Sequence, residues 1–133
     1  MSGDDNVKTI QAVYEAFGRG DIPAVLDAVA DDVDWATEAD STDAPWWGPR
    51  TGRAGVAEFF EQFGAAMEVD EFTPLAIAAD GDTVLSVVQL RARSRATGAA
   101  AAMDLHHWFR FRAGKIAFYR GTEDTLQTRR TLQ

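Results

Sequence analysis

Near Met67 the hydrophobic period of this chain changes from about 3.6 to 2, and that change restricts the fold more than any other feature. Before it, apolar residues recur at helical spacing: Val7, Ile10, Tyr14 and Phe17, then Ile22, Val25, Leu26 and Val29, then Val56, Phe59, Phe60, Phe63 and Met67. After it, apolar and polar residues alternate with period 2, and short turn sequences cut the run into strands. Gly18 and Gly20 end the first helix, and Asp21 caps the second with Pro23 in its first turn. Asp31-Asp32 is expected to break that second helix, before a short strand carrying Val33, Trp35 and Thr37. A third helix is predicted from Ala54 to Met67. The strands that follow are Phe72 to Ala79, Thr83 to Arg95, Met103 to Arg112, and Ile116 to about Asp124. Asp80-Gly81-Asp82, Thr97-Gly98 and Ala113-Gly114-Lys115 supply the turns. The alanines at 99 to 102 have poor strand propensity, so frayed pairing is expected there. Helices followed by hairpin-joined strands predict an α+β fold, with three N-terminal helices covering one face of a mostly antiparallel sheet.

A chain of 133 residues is one domain, residues 1–133, large enough to bury a core without staples. It contains no cysteine, which excludes disulfides and thiolate chemistry. The net charge of −8 repels phosphate backbones, so a nucleic-acid partner is not expected. Met1-Ser2-Gly3-Asp4-Asp5 has neither a basic nor an apolar leader region, and no apolar run reaches the roughly 18 residues of a membrane span. The expected location is therefore cytoplasmic, with no membrane partner. Adjacent His106 and His107 point to opposite faces of a strand and cannot chelate one ion, so no metal and no cofactor are expected.

The segment from Ala39 to Arg53 holds Pro45, Pro49, Gly48 and Gly52 around Trp46 and Trp47. It reads as a long loop, and two tryptophans there suggest a cover over an apolar or aromatic ligand.

Several segments together resemble the SnoaL-like proteins of the nuclear transport factor 2-like superfamily. They are Tyr14-Glu15-Ala16-Phe17-Gly18-Arg19-Gly20-Asp21, Ala30-Asp31-Asp32-Val33-Asp34-Trp35, Gly48-Pro49-Arg50-Thr51-Gly52-Arg53, Ala79-Asp80-Gly81-Asp82-Thr83-Val84 and Phe109-Arg110-Phe111-Arg112-Ala113-Gly114-Lys115-Ile116. The resemblance spans nearly the whole chain and implies a cone-shaped α+β barrel, a curved sheet wrapped around one internal pocket. Ketosteroid isomerase and limonene epoxide hydrolase are relatives in that superfamily. Carried over residue by residue, the isomerase's general base falls on Thr37, its protonated aspartate on His107 and its helix-one tyrosine on Val13, next to Tyr14. The hydrolase's Asp-Arg-Asp set falls on Val88, Leu90 and Gly121, with its water ligands on Trp35 and Thr37, so that mechanism is absent.

The same alignment and strand alternation imply a pocket lined by Trp35, Thr37, Val88, Leu90, Leu105, His107, Phe109, Tyr119, Gly121 and Glu123. Tyr14, Phe59, Phe63 and the Trp46-Trp47 loop are placed to close it. His107 is the candidate acid/base, or else a buried histidine satisfied by one hydrogen bond. Glu123 either raises the basicity of His107 or lies exposed near its strand end, and Tyr119 is a donor or a wall. The expected function is cofactor-independent proton transfer on a small hydrophobic or aromatic molecule, of isomerase, cyclase or dehydratase type. The alternative is a non-catalytic ligand-binding or dimerisation domain. Leu85, Val87, Trp108, Ile116 and Phe118 are assigned to the outer face of the sheet, where an apolar patch beside arginines suggests a homodimer.

Overall fold

The period change at Met67 is where a helix hands over to a strand in the same breath of chain: the third helix ends at Ala66 and the strand begins at Met67. The computed structural model describes residues 2–133. In chain order the elements are α1 (Gly3–Gly18), α2 (Ile22–Asp27), β1 (Val29–Thr37), β2 (Gly48–Thr51), α3 (Gly52–Ala66), β3 (Met67–Asp80), β4 (Thr83–Ser94), β5 (Ala100–Arg112), β6 (Lys115–Thr122) and α4 (Thr125–Leu132). The six strands form one curved sheet in the order β2-β1-β6-β5-β4-β3. Every neighbouring pair is antiparallel except β1 and β6, which are parallel. Consecutive hairpins explain the antiparallel run, and the helical segment between β1 and β3 lets β1 return alongside β6 in the other sense.

Local chemistry sets the helix ends. Ser2 and Asp5 close a reciprocal capping box on α1, and Asp21 accepts from the Ala24 N–H at the start of α2. Ile10, Val13 and Tyr14 of α1 then pack with Val84, Val88 and Phe109 of the sheet in the main core, while α3 lies over β1. Among the described residues no helix is long and apolar enough to cross a membrane.

Five boundaries differ from the periodicity. The strand expected from Phe72 begins five residues earlier, at Met67. The second helix stops at Asp27, and Asp31-Asp32 sits inside β1, where the register against β6 is irregular and both acids are exposed. Val29 is fully buried in β1, so strand pairing claims a residue that helical spacing had assigned to the second helix. Part of the tryptophan loop is the edge strand β2, which tolerates Pro49 because an edge has one unpaired side. The alanines at 100 to 102 are fully paired with β4, since partner hydrogen bonds outweigh their weak propensity. The residues after the last predicted strand, to which the periodicity gave no element, form α4. Asp124 caps it by accepting from the Gln127 N–H, and Leu132 packs on the inner side of the sheet.

One assignment of face is corrected as well. Ile116 is fully buried in the main core and not on the outer face. The register slips by one residue between Arg110 and Phe111, so Phe111 faces Ile116 while Arg110 faces Phe118. A bulge of this kind reverses the side on which the residues beyond it lie. Leu85 is exposed on the outer face, with Val87, Trp108 and Phe118 partly buried.

Candidate functional site

Four paired positions cross the middle of the sheet at one level: Thr37 on β1, Gly121 on β6, His107 on β5 and Ser86 on β4. They make a polar row on an inner face otherwise lined by Trp35, Leu90, Leu105 and Phe109. The glycine is a gap that Tyr119 fills. A Cβ at position 121 would stand 2.1 Å from the Tyr119 hydroxyl oxygen, so the tyrosine folds back along its own strand over Gly121. Its ring stacks on Trp35 at 4.0 Å.

Tyr14 of α1 reaches the other half of the row. Its hydroxyl lies 2.6 Å from His107 Nδ1 and 2.5 Å from Ser86 Oγ. The chain has two consistent directions. With Ser86 donating to Tyr14 and Tyr14 donating to Nδ1, the remaining ring proton is on Nε2, which is then a donor. In the opposite direction Nε2 is a free acceptor. Burial, helped by the neighbouring His106, pushes the His107 pKa down to about 3, so the ring is neutral at neutral pH. Burial also raises the Tyr14 hydroxyl, with Ser86 acting against it, and holds Tyr119 well above the usual tyrosine range. The row is a set of neutral hydrogen-bond donors and acceptors.

Glu123 stands two residues beyond Gly121, just past the end of β6. It is half-buried rather than exposed, and lines the cavity. Thr128 of α4 donates to Oε2 at 2.5 Å, and the Trp46 indole N–H points to Oε1 at 3.4 Å. Burial raises its pKa; Thr128, Trp46 and Trp47 pull it down, and Asp124 adds to the rise. The expected partnership with His107 is not formed: among the described residues no hydrogen bond joins them, and the basicity of His107 is lowered, not raised.

The cavity is partly open and has a volume of about 90 Å³. An apolar protein cavity of ~150 Å³ takes up a benzene ring, so a ring-sized ligand requires the walls to yield somewhat. Of the residues assigned to the pocket, Tyr14, Trp35, Thr37, Trp46, Phe59, Phe63, Leu90, Leu105, His107, Phe109, Tyr119, Gly121 and Glu123 line it. Val88 and Trp47 do not: Val88 is fully buried within the main core, and Trp47 is buried in the second core cluster with its indole N–H unpartnered. Ser86 and Thr128 escaped the sequence reading. Ser86 is signalled only by cross-strand pairing with His107, whereas the Asp124-to-Gln127 spacing is a helix-start signal that would have brought Thr128 back over Glu123. Arg50 holds the tryptophan loop in place by bonding Glu58 and Gln62 of α3 and the Pro45 carbonyl. No three His, Cys, Asp or Glu side chains converge as a metal site among the described residues.

A curved α+β sheet closed by helices over one aromatic cavity defines a class of small-molecule pocket domains. Residues 10–119 match the SnoaL-like domain, and the chain belongs to that family. No curated protein matches the sequence. Among solved structures it is similar to an NTF2-like protein of unknown function from Burkholderia pseudomallei K96243, at 26% identity and a TM-score of 0.90, covering 100% of this chain and 99% of that one. An NTF2-like protein from Burkholderia xenovorans LB400 matches at 26% identity and a TM-score of 0.87, with the same coverage. TerC, co-crystallized with polyporic acid, matches at 24% identity and a TM-score of 0.84, covering 96% of this chain and 98% of that one. Structures sharing the fold at 20% identity or less bear names of isomerase, polyketide cyclase and epoxide hydrolase type.

Proposed function

We propose that this protein is a cofactor-independent enzyme that moves a proton next to a carbonyl or enol of a small, largely apolar ring compound. The observation that carries this reading is the pairing, in one aromatic cavity, of a neutral donor row with a single carboxylate just past the end of β6. His107 is not the base in this reading, because a ring with a pKa of about 3 binds protons too weakly. Glu123 is, since burial raises a carboxylate toward the range where it accepts protons well. The Glu123 carboxylate takes a proton from the carbon beside the carbonyl, and the C–H electrons move onto the carbonyl oxygen. The His107 N–H, oriented by Tyr14, and the Tyr119 hydroxyl stabilise the resulting enolate oxygen. Return of the proton to another carbon completes an isomerisation. The polyporic acid in the TerC crystals is consistent with a small organic ligand in this fold.

The test needs no natural substrate. Deuterium exchange into cyclohex-2-enone in D₂O, followed by NMR, reads proton abstraction directly. Exchange should exceed the buffer rate and fall about 100-fold or more in Glu123→Gln. Exchange at the buffer rate, or exchange indifferent to Glu123→Gln in a folded variant, overturns the proposal.

The proposal extends to a homodimer through the outer face of the sheet. Trp108 and Phe118 meet edge to face at 4.9 Å there, Arg110 and Arg120 stack over them, and Leu85 is 53% exposed. Aromatic rings with arginines are the composition of interface centres.

A further inference from the structure

The carboxylate at the cavity mouth is held by a helix that has no other evident part in the site. Glu123 lies just before Asp124, the cap of α4, so the chain turns there and α4 folds its own residue 128 back over Glu123. Thr128 is 97% buried, and its only hydroxyl proton goes to Glu123 Oε2 at 2.5 Å. The helix is fixed on every side. Thr97 Oγ1 donates to the Thr131 carbonyl at 2.5 Å, the Ala102 N–H donates to Gln127 Oε1 at 2.7 Å, and Arg129 pairs with Asp43 at 3.1 Å. Thr131 Oγ1 in turn donates to the Thr128 carbonyl at 2.6 Å. Such a chain of bonds leaves Thr128 little freedom to rotate away.

We propose that Thr128 is a positioning residue: its hydroxyl fixes one oxygen of Glu123 and leaves the other to face the substrate, so that α4 completes the active site. This rests on the reading of Glu123 as the proton acceptor. Trp46 makes a second, longer contact to the opposite oxygen at 3.4 Å, which a substrate proton can displace more easily than the short bond from Thr128. A carboxylate held by one strong donor cannot swing, and a fixed base is worth more than a mobile one. The hydroxyl also favours the ionised form of Glu123 against burial. The titratable groups facing Glu123 are Asp124 beside it and Tyr119 on the same strand; both disfavour its charge or have theirs disfavoured by it. No cation is paired with it among the described residues.

The experiment compares Thr128→Val, Thr128→Ala and Thr128→Ser in the full chain. The side-chain carboxyl carbon of Glu123 is titrated by ¹³C NMR, and cyclohex-2-enone exchange is followed against pH. Loss of the donor should move the Glu123 midpoint upward by about one pH unit. The acid limb of exchange should move with it, lowering the rate there roughly tenfold, and Thr128→Ser should restore both. Either of the first two variants suffices if the other does not fold. An unmoved midpoint with a lowered melting temperature makes Thr128 merely structural and overturns the inference. If the wild type shows no exchange, the proposed function fails, while the NMR midpoint still decides whether Thr128 sets the state of Glu123.

Discussion

Gly121→Ala is the substitution most directly sized by the structure. The backbone at this position is not in the left-handed region, so alanine is acceptable to the main chain and only space is at issue. The added Cβ would stand 2.1 Å from the Tyr119 hydroxyl oxygen, 2.8 Å from Cζ and 3.3 Å from Cε2. The ring is flanked by three others and open to the cavity on its remaining side: it stacks on Trp35 at 4.0 Å and lies 5.1 Å from Phe109 and 5.3 Å from His107, centroid to centroid. Overpacking of this kind costs about 1–3 kcal/mol, and disturbing the Trp35 stack adds about 0.5–1.5 kcal/mol. For a chain of 133 residues each kcal/mol lowers the melting temperature by about 4 °C, so a fall of roughly 6–18 °C is expected in thermal denaturation followed by circular dichroism. The double variant Gly121→Ala/Tyr119→Phe removes the closest atom but keeps Cζ, and should recover part of the loss. Equal melting temperatures for Gly121→Ala and wild type, or strictly additive effects in the double variant, would refute the idea that glycine is needed to seat Tyr119.

Three further outcomes are expected. His107 is lowered from 6.5 to about 3 in the folded chain, so the unfolded chain binds the extra proton between those values; stability is full above about pH 6.5 and falls as pH drops toward 3, and a His107→Leu variant should show a shallower fall between pH 6.5 and 4. Glu123, raised by burial, works in the opposite sense, so melting temperatures of Glu123→Gln should show a steeper loss on acidification than wild type. Trp108→Glu, read by sedimentation at micromolar concentration, should convert the dimer to monomer by burying an unpaired carboxylate at a cost of several kcal/mol; an unchanged dimer, or a monomeric wild type, removes the outer face as an interface.

The sequence by itself determined the three N-terminal helices, the hairpin order of the long strands and most of their inner faces, because each depends on periodicity and turn chemistry that neighbours in the chain supply. Trp35, Thr37, Leu105, His107 and Glu123 were legible as inner residues for that reason. The tertiary structure decided what periodicity cannot encode. The bulge before Phe111 reversed Ile116, and parallel pairing with β6 drew Val29 out of a helix. It also chose the partners: Tyr14 and Ser86 meet His107 across 93 and 21 residues of chain, and Thr128 meets Glu123 through a cap at Asp124. Those choices made the expected acid/base histidine a neutral one and left the glutamate half-buried, held by Thr128. Protonation follows desolvation and local donors, and both belong to the packed cavity and not to the order of residues along the chain.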